Sequence, residues 1–130
     1  MIGVGGGSAI DTAKAVVENS GALPLVIVPT VASNDALCSG IAVICNEESR
    51  VVKALATRRN SDIVLVDTGI IASAPVRMFA AGLGDALAIW FEARACHRTR
   101  AKNLALGHAT NTAVMMSKLC CDILMEGGTL

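Results

Sequence analysis

A chain of 130 residues has the size of one domain, and 53% hydrophobic side chains with a mean hydropathy of +0.58 supply ample material for a buried core. Eleven basic residues balance eleven acidic ones and aromatic residues make up 2%, which excludes the basic footprint and stacking platform of a nucleic-acid binder. The apolar segments are broken every few residues by Gly, Asp, Asn or Arg, so none crosses a membrane, and no charged n-region precedes an apolar stretch. A cytoplasmic setting is the expectation.

The chain opens with Met1-Ile2-Gly3-Val4, which reads as the end of a buried strand, and Gly5-Gly6-Gly7-Ser8, which reads as a tight turn. Ala9 to Val17 has the composition of a helix, and Ser8 and Asp11 have the spacing of a capping box. Strand, glycine turn and helix together point free backbone N–H groups at an anion, because small residues let a phosphate approach and the helix start carries partial positive charge. Gly3-x-Gly5-x-x-Ser8 only approximates the dinucleotide fingerprint, and an unliganded turn explains it equally well. Leu25 to Val28 is a short apolar run of the kind found in a parallel sheet covered on both faces, which completes a β-α-β unit.

Pro29-Thr30 ends that strand, and the loop that follows carries Ser33, Asn34, Asp35 and Ser39. In open α/β sheets ligands bind at the C-terminal ends of strands, although Ser, Asn and Asp are also ordinary turn residues. Gly40–Cys45 and Arg50–Leu55 flank the polar turn 46–49 as a hairpin, and Asp62–Asp67 reads as a further core strand. After Ala74-Pro75 the spacing is helical, and helices are expected over Pro75–Ala81, Gly84–Arg98 and Leu104–Met125. These readings predict an α/β layer over residues 1–74 and an all-helical part over residues 75–130.

Gly82-Leu83-Gly84-Asp85 places one carboxylate between glycines and a long apolar run. Asp85 reads either as an N-cap of the helix that follows or as a metal ligand. The two histidines do not complete a metal site by spacing: twelve helical residues separate Asp85 from His97 by about 18 Å, while His108, beyond Gly107, remains open. The five cysteines are odd in number and include no C-x-x-C pair, which argues against a disulfide framework or a cysteine zinc site.

Taken together, Gly5-Gly6-Gly7-Ser8-x-x-Asp11-Thr12-Ala13-Lys14, Pro29-Thr30-Val31-Ala32-Ser33-Asn34-Asp35-Ala36, Asp67-Thr68-x-Ile70-x-Ala72-x-Ala74-Pro75 and Gly82-x-Gly84-Asp85-Ala86-Leu87-Ala88-x-Trp90-Phe91-Glu92-Ala93 resemble the glycerol dehydrogenases of the iron-containing alcohol dehydrogenase superfamily. The resemblance covers nearly the whole chain, and Ser-Asn-Asp-Ala after Pro-Thr is its most specific part. It implies part of a nucleotide-binding α/β domain followed by part of a helical metal-binding domain, with NAD and zinc as cofactors and a homo-oligomer for the complete enzyme. By position, Gly5, Gly6, Gly7, Ser8, Asp11, Thr30, Ser33, Ser39 and Ile41 would hold NAD. Asp35 would hold glycerol or a similar small polyol, and Asp85 would be the catalytic zinc's ligand. Ser8 stands where glycerol enzymes often have Lys, and Cys45 replaces a common Tyr near the nicotinamide.

The resemblance further implies the middle of an enzyme, whose preceding segment completes the nucleotide sheet and whose following helices carry two histidine ligands. The expected reaction is hydride transfer from glycerol to NAD, giving dihydroxyacetone, with the isolated chain inactive. A related small-diol or amino-alcohol dehydrogenase and a non-catalytic assembly piece are the alternatives.

Overall fold

A computed structural model describes residues 1–21, 23–104 and 106–127. Strand β1 (Ile2–Gly5) leads through the glycine turn into helix α1 (Gly7–Ser20), and the chain returns as β2 (Val26–Pro29), parallel to β1 with Gly3 opposite Ile27. Ile10, Ala13 and Val17 recur at helical spacing on α1 and bury against Leu25, Ile27 and Ala36. Gly21, in the left-handed region at φ 72°, ends the helix. The strand expected from Leu25 begins one residue later and runs on to Pro29.

The hairpin forms as expected, with β3 (Ile41–Cys45) antiparallel to β4 (Val51–Ala56) and an irregularity between Ile44 and Cys45. It packs on α1, whereas the third strand of the parallel sheet is β5 (Ile63–Val64), giving the order β1-β2-β5. The long strand expected over Asp62–Asp67 is thus cut to two residues. Asp67 instead caps a short helix, α2 (Thr68–Ala72), its Oδ1 accepting from the Gly69 and Ile70 N–H groups at 2.8 and 3.1 Å.

Among the described residues one face of the parallel sheet is covered. Helix α1 lies on one side, while Ile2, Val4, Ile63 and Leu65 are more than half exposed on the strands or directly beside them.

From Val76 a single helix, α3 (Val76–Thr99), runs for 24 residues, and Gly82 and Gly84 do not interrupt it where a break was expected. Helix α4 (Asn111–Gly127) packs along α3, with Trp90 of α3 beneath Arg94 at 5.6 Å and Lys118 of α4 at 6.0 Å. It starts later than the expected Leu104: Lys102 bridges to His108 as an isolated strand pair, and the Thr110 hydroxyl accepts from the Ala113 N–H at 3.1 Å to open the helix. The stop expected at Gly127-Gly128 lies partly outside the described residues, with α4 reaching Gly127.

Candidate active site

The turn between β1 and α1 demands glycine at its first position. Gly5 sits at φ 144°, and a Cβ there would approach the Ala9 Cβ to 2.8 Å, so both backbone and space exclude a side chain. Gly6 is the N-cap of α1, through its carbonyl, which accepts from the Ile10 N–H at 3.1 Å. The capping box expected from Ser8 and Asp11 does not form, because α1 already begins at Gly7 and Ser8 lies inside its first turn. With no side-chain cap, the first-turn N–H groups are left for an outside acceptor.

The start of α1 presses on the loop after β2, where a Cβ on Gly7 would come within 2.6 Å of the Asn34 Nδ2. Between them opens a cleft of about 370 Å³ lined by Gly7, Ser8, Asp11, Asp35, Ser39 and Ile41, together with Asn34, Val43 and Cys45. Six residues singled out in the sequence therefore share one wall system. Gly5 and Gly6 build the turn behind it. The Thr30 N–H is tied to the Gly5 carbonyl at 3.0 Å, which places Thr30 beside that turn, and Ser33 lies across from Gly82; neither lines the cleft.

Asp11 and Lys14 form a buried pair under this wall. They are 8% and 2% exposed, and the Lys14 Nζ lies 3.7 Å from the Asp11 Oδ1, close enough to attract and too far to hydrogen-bond. Asp11 Oδ1 is buried with no hydrogen-bond partner among the described residues. Burial raises the Asp11 pKa, opposed by a hydrogen bond from the Val43 backbone and by the nearby ammonium. Burial likewise lowers the Lys14 pKa, opposed by Asp11 and, more weakly, by Asp35 and Cys38. The ammonium donates to the carbonyls of Ala36 and Ile41, the latter at 2.9 Å, and to the Ser39 hydroxyl at 3.3 Å. Lys14 was legible: it falls on the helix stripe made by Ile10, Ala13 and Val17, where a charge requires partners.

Asp35 is shared with a second hollow of about 250 Å³, formed with Phe79, Gly82, Asp85, Ala86 and Ile89 of α3. Here α3 meets the loop with no room to spare, since a Cβ on Gly82 would lie 2.0 Å from the Ala32 carbonyl oxygen. One turn further along, the Asp85 Oδ2 accepts from the Asp35 N–H at 3.1 Å. Asp85 is the tenth residue of α3, so the helix-cap reading is overturned: its start lies at Val76, and this carboxylate binds the backbone of another segment.

A metal ion normally takes three or four converging protein donors. Among the described residues no three His, Cys, Asp or Glu side chains converge in that way. His97 and His108 come together instead with Cys96 and Arg100 in a hollow at the far end of α3, away from Asp85, which removes the pairing of Asp85 with His108. The donor set of this chain alone does not fit a metal ion. No described helix is long and apolar enough to cross a membrane.

Residues 1–68 match the family described as iron-containing alcohol dehydrogenase. The chain is 47% identical over 128 residues to a glycerol dehydrogenase of Escherichia coli, covering 98% of this chain and 35% of that protein. It is 46% identical over 130 residues to a glycerol dehydrogenase of Thermotoga maritima, with the same 35% of the relative covered. Among solved structures, a probable glycerol dehydrogenase from Sinorhizobium meliloti superposes with a TM-score of 0.90 at 45% identity, over 96% of this chain and 35% of that one. The chain thus spans about a third of the length of the relatives it matches.

Proposed function

This chain belongs to the iron-containing alcohol dehydrogenase family, and we propose that it carries the nucleotide cleft and substrate loop of an NAD-dependent polyol dehydrogenase, with glycerol as the substrate. One observation carries the reading: Gly7, Ser8, Asp11, Ser39 and Ile41 line one cleft with Asp35, and the Asp11 carboxylate on that wall has a buried oxygen, Oδ1, with no hydrogen-bond partner among the described residues. An NAD molecule supplies groups of both required kinds. Its phosphates suit the free N–H groups of the first turn of α1, and its hydroxyl or amide donors suit the Asp11 carboxylate.

In this reading the chain divides near Ala74 into a nucleotide-binding part and a helical part. Asp35 stands between the two hollows and accepts hydrogen bonds from the hydroxyls of the polyol, holding a carbinol carbon toward the cofactor. NAD held in the cleft would supply the hydride acceptor for oxidation of a secondary alcohol to a ketone, the hydroxyl proton leaving to solvent. Gly5, Gly6, Thr30 and Ser33 shape the turn and loop that hold the nucleotide. Family members use a metal besides NAD, iron as the family name has it or zinc. Asp85 is the one side chain of this chain that would contribute to holding it, and since the donor set among the described residues is incomplete no step is routed through the ion. Turnover by these 130 residues alone is therefore not expected.

The test is exchange of this chain for the matching 128 residues of the Escherichia coli glycerol dehydrogenase. The expected outcome is glycerol-dependent reduction of NAD. In that chimera Asp35→Ala should raise KM for glycerol more than KM for a simple secondary alcohol, because only the polyol offers a second hydroxyl. Loss of a charge-assisted hydrogen bond corresponds to about 1.5–3 kcal/mol. A chimera that folds and binds NAD but leaves glycerol unoxidised refutes the substrate assignment, and equal effects on both alcohols remove Asp35 from substrate binding.

A further inference from the structure

Lys14 does not line the nucleotide cleft. Its side chain lies behind the wall, facing a separate cavity of about 210 Å³ shared with Val17, Glu18, Leu25 and Arg58. An ammonium taken this far from water is held only if acceptors replace the lost hydration. Here they come from the loop after β2 and from the start of β3: the Ala36 carbonyl beside Asp35, the Ser39 hydroxyl and the Ile41 carbonyl. With Asp11 at 3.7 Å, the one cation touches three residues assigned to the nucleotide and the neighbour of the residue assigned to the substrate.

We propose that Lys14 is a positioning residue that sets the 35–41 loop at its working distance from α1 and so governs nucleotide affinity without touching the nucleotide. The physical logic is geometric. The loop's own bonds are short-range, Cys38 N–H to Asp35 O at 3.0 Å and Ala36 N–H to the Asn34 Oδ1 at 3.1 Å, and its outer side is tied to the segment after β4 by the Thr57 N–H on the Gly40 carbonyl at 2.9 Å and the Ser61 hydroxyl on the Leu37 carbonyl at 3.4 Å. Asp85 holds it at one end, through the Asp35 N–H. Ala36 packs on α1 through apolar contact, which does not fix its distance, and among the described residues the hydrogen bonds that join the loop's middle and far end to the helix carrying Gly7, Ser8 and Asp11 are those of the ammonium. Removing that joint leaves every cleft residue present but free to drift, and a misplaced partner loses most of what its hydrogen bond contributes.

A merely structural lysine behaves differently. Replacing a buried ionic group by an apolar one of similar length is often neutral for stability, so stability and affinity need not move together. The inference rests on the nucleotide reading above, and the experiment separates the two. Lys14→Met and Lys14→Arg are made in the chimera with the Escherichia coli glycerol dehydrogenase described above, with circular dichroism as the check on folding. Hydrogen exchange is followed over residues 34–41, and NAD binding is measured by calorimetry.

Lys14→Met should speed exchange of the Ala36 and Cys38 amides and raise the NAD dissociation constant about tenfold, with its unfolding midpoint near the parent's. Lys14→Arg, which restores donors to the same carbonyls, should recover part of both. Unchanged exchange and affinity in Lys14→Met overturn the proposal, as does faster exchange with full affinity. A parent chimera that folds but does not bind NAD overturns the cofactor reading instead, and exchange over 34–41 then decides alone whether Lys14 positions the loop. If Lys14→Met does not fold, Lys14→Gln, a shorter donor, takes its place with the same criteria.

Discussion

Two glycines two residues apart on α3 should respond to the same substitution with opposite sign. A Cβ at Gly82 would stand 2.0 Å from the Ala32 carbonyl oxygen, about 1 Å inside the closest approach real Cβ atoms make, whereas a Cβ at Gly84 meets nothing within 4 Å. Both positions are helical, so both alanine variants gain the same intrinsic propensity, about 0.8–1.0 kcal/mol. That gain cancels when the two variants are compared, leaving the steric cost alone. Overpacking costs roughly 1–3 kcal/mol, and the upper half applies here because a backbone carbonyl cannot rotate aside as a side chain does. Gly84→Ala should therefore stabilise the chain, Gly82→Ala should destabilise it, and their free energies of unfolding should differ by about 2–3 kcal/mol. With a urea slope of about 1–3 kcal/mol per molar, the midpoints separate by roughly 0.7–3 M. Relief of the overlap also requires α3 to retreat by about 1 Å, which lengthens the 3.1 Å bond from the Asp35 N–H to Asp85 past hydrogen-bond range. Hydrogen exchange at Asp35 should thus quicken in Gly82→Ala and stay at the parental rate in Gly84→Ala. Urea midpoints within experimental error of each other would refute the close approach of α3 to the loop.

Asp67→Ala removes both bonds that open α2 and should lower stability by about 1 kcal/mol in the same urea assay; an unchanged midpoint would show that α2 does not depend on its cap. The alkaline limb of stability should report Lys14. Its folded pKa is lowered below 10.5, so between that lowered value and 10.5 the unfolded chain binds more protons and this group's contribution to stability rises with pH. The stability difference, parent minus Lys14→Met, should therefore increase through that window in a pH series of urea unfolding. A flat or falling difference contradicts the burial of a charged Lys14. The groups facing it, Asp11, Asp35 and Cys38, are present in both chains.

The glycine turn, the β-α-β unit and the hairpin were readable because each rests on local chemistry: Gly5 at a forbidden dihedral, an apolar stripe at helical spacing, and a polar turn between apolar runs. The misreadings share a cause as well. Gly82 and Gly84 looked like a helix break because intrinsic propensity counts glycine against a helix, but Gly82 is used for contact with Ala32, a partner fifty residues away. Asp85 looked like a cap for the same reason, and its bond to the Asp35 N–H joins segments that no local pattern links. Ser8 and Asp11 had the spacing of a capping box, but the glycine carbonyl at Gly6 started the helix two residues earlier. The strand expected to Asp67 was shortened because Asp67 found a better use for its carboxylate on two helix N–H groups. The cleft residues were recognisable as a set from the family resemblance, whereas Lys14 behind them required only the observation that a charge lay on a buried stripe.

The sheet with a helix on one side only has a colloidal consequence. Ile2, Val4, Ile63 and Leu65 present a strip of side chains more than half open to water, on or beside strands of a kind that other proteins shield on both sides. Repulsion between copies is the usual safeguard against such a strip, and it scales with net charge. Eleven cations against eleven anions leave this chain with none. Dispersed copies therefore meet without an electrostatic barrier, and added salt, which weakens repulsion between charged proteins, has no such barrier to remove here. Solubility of these 130 residues is consequently governed by concentration and by whatever covers the strip, far more than by ionic strength.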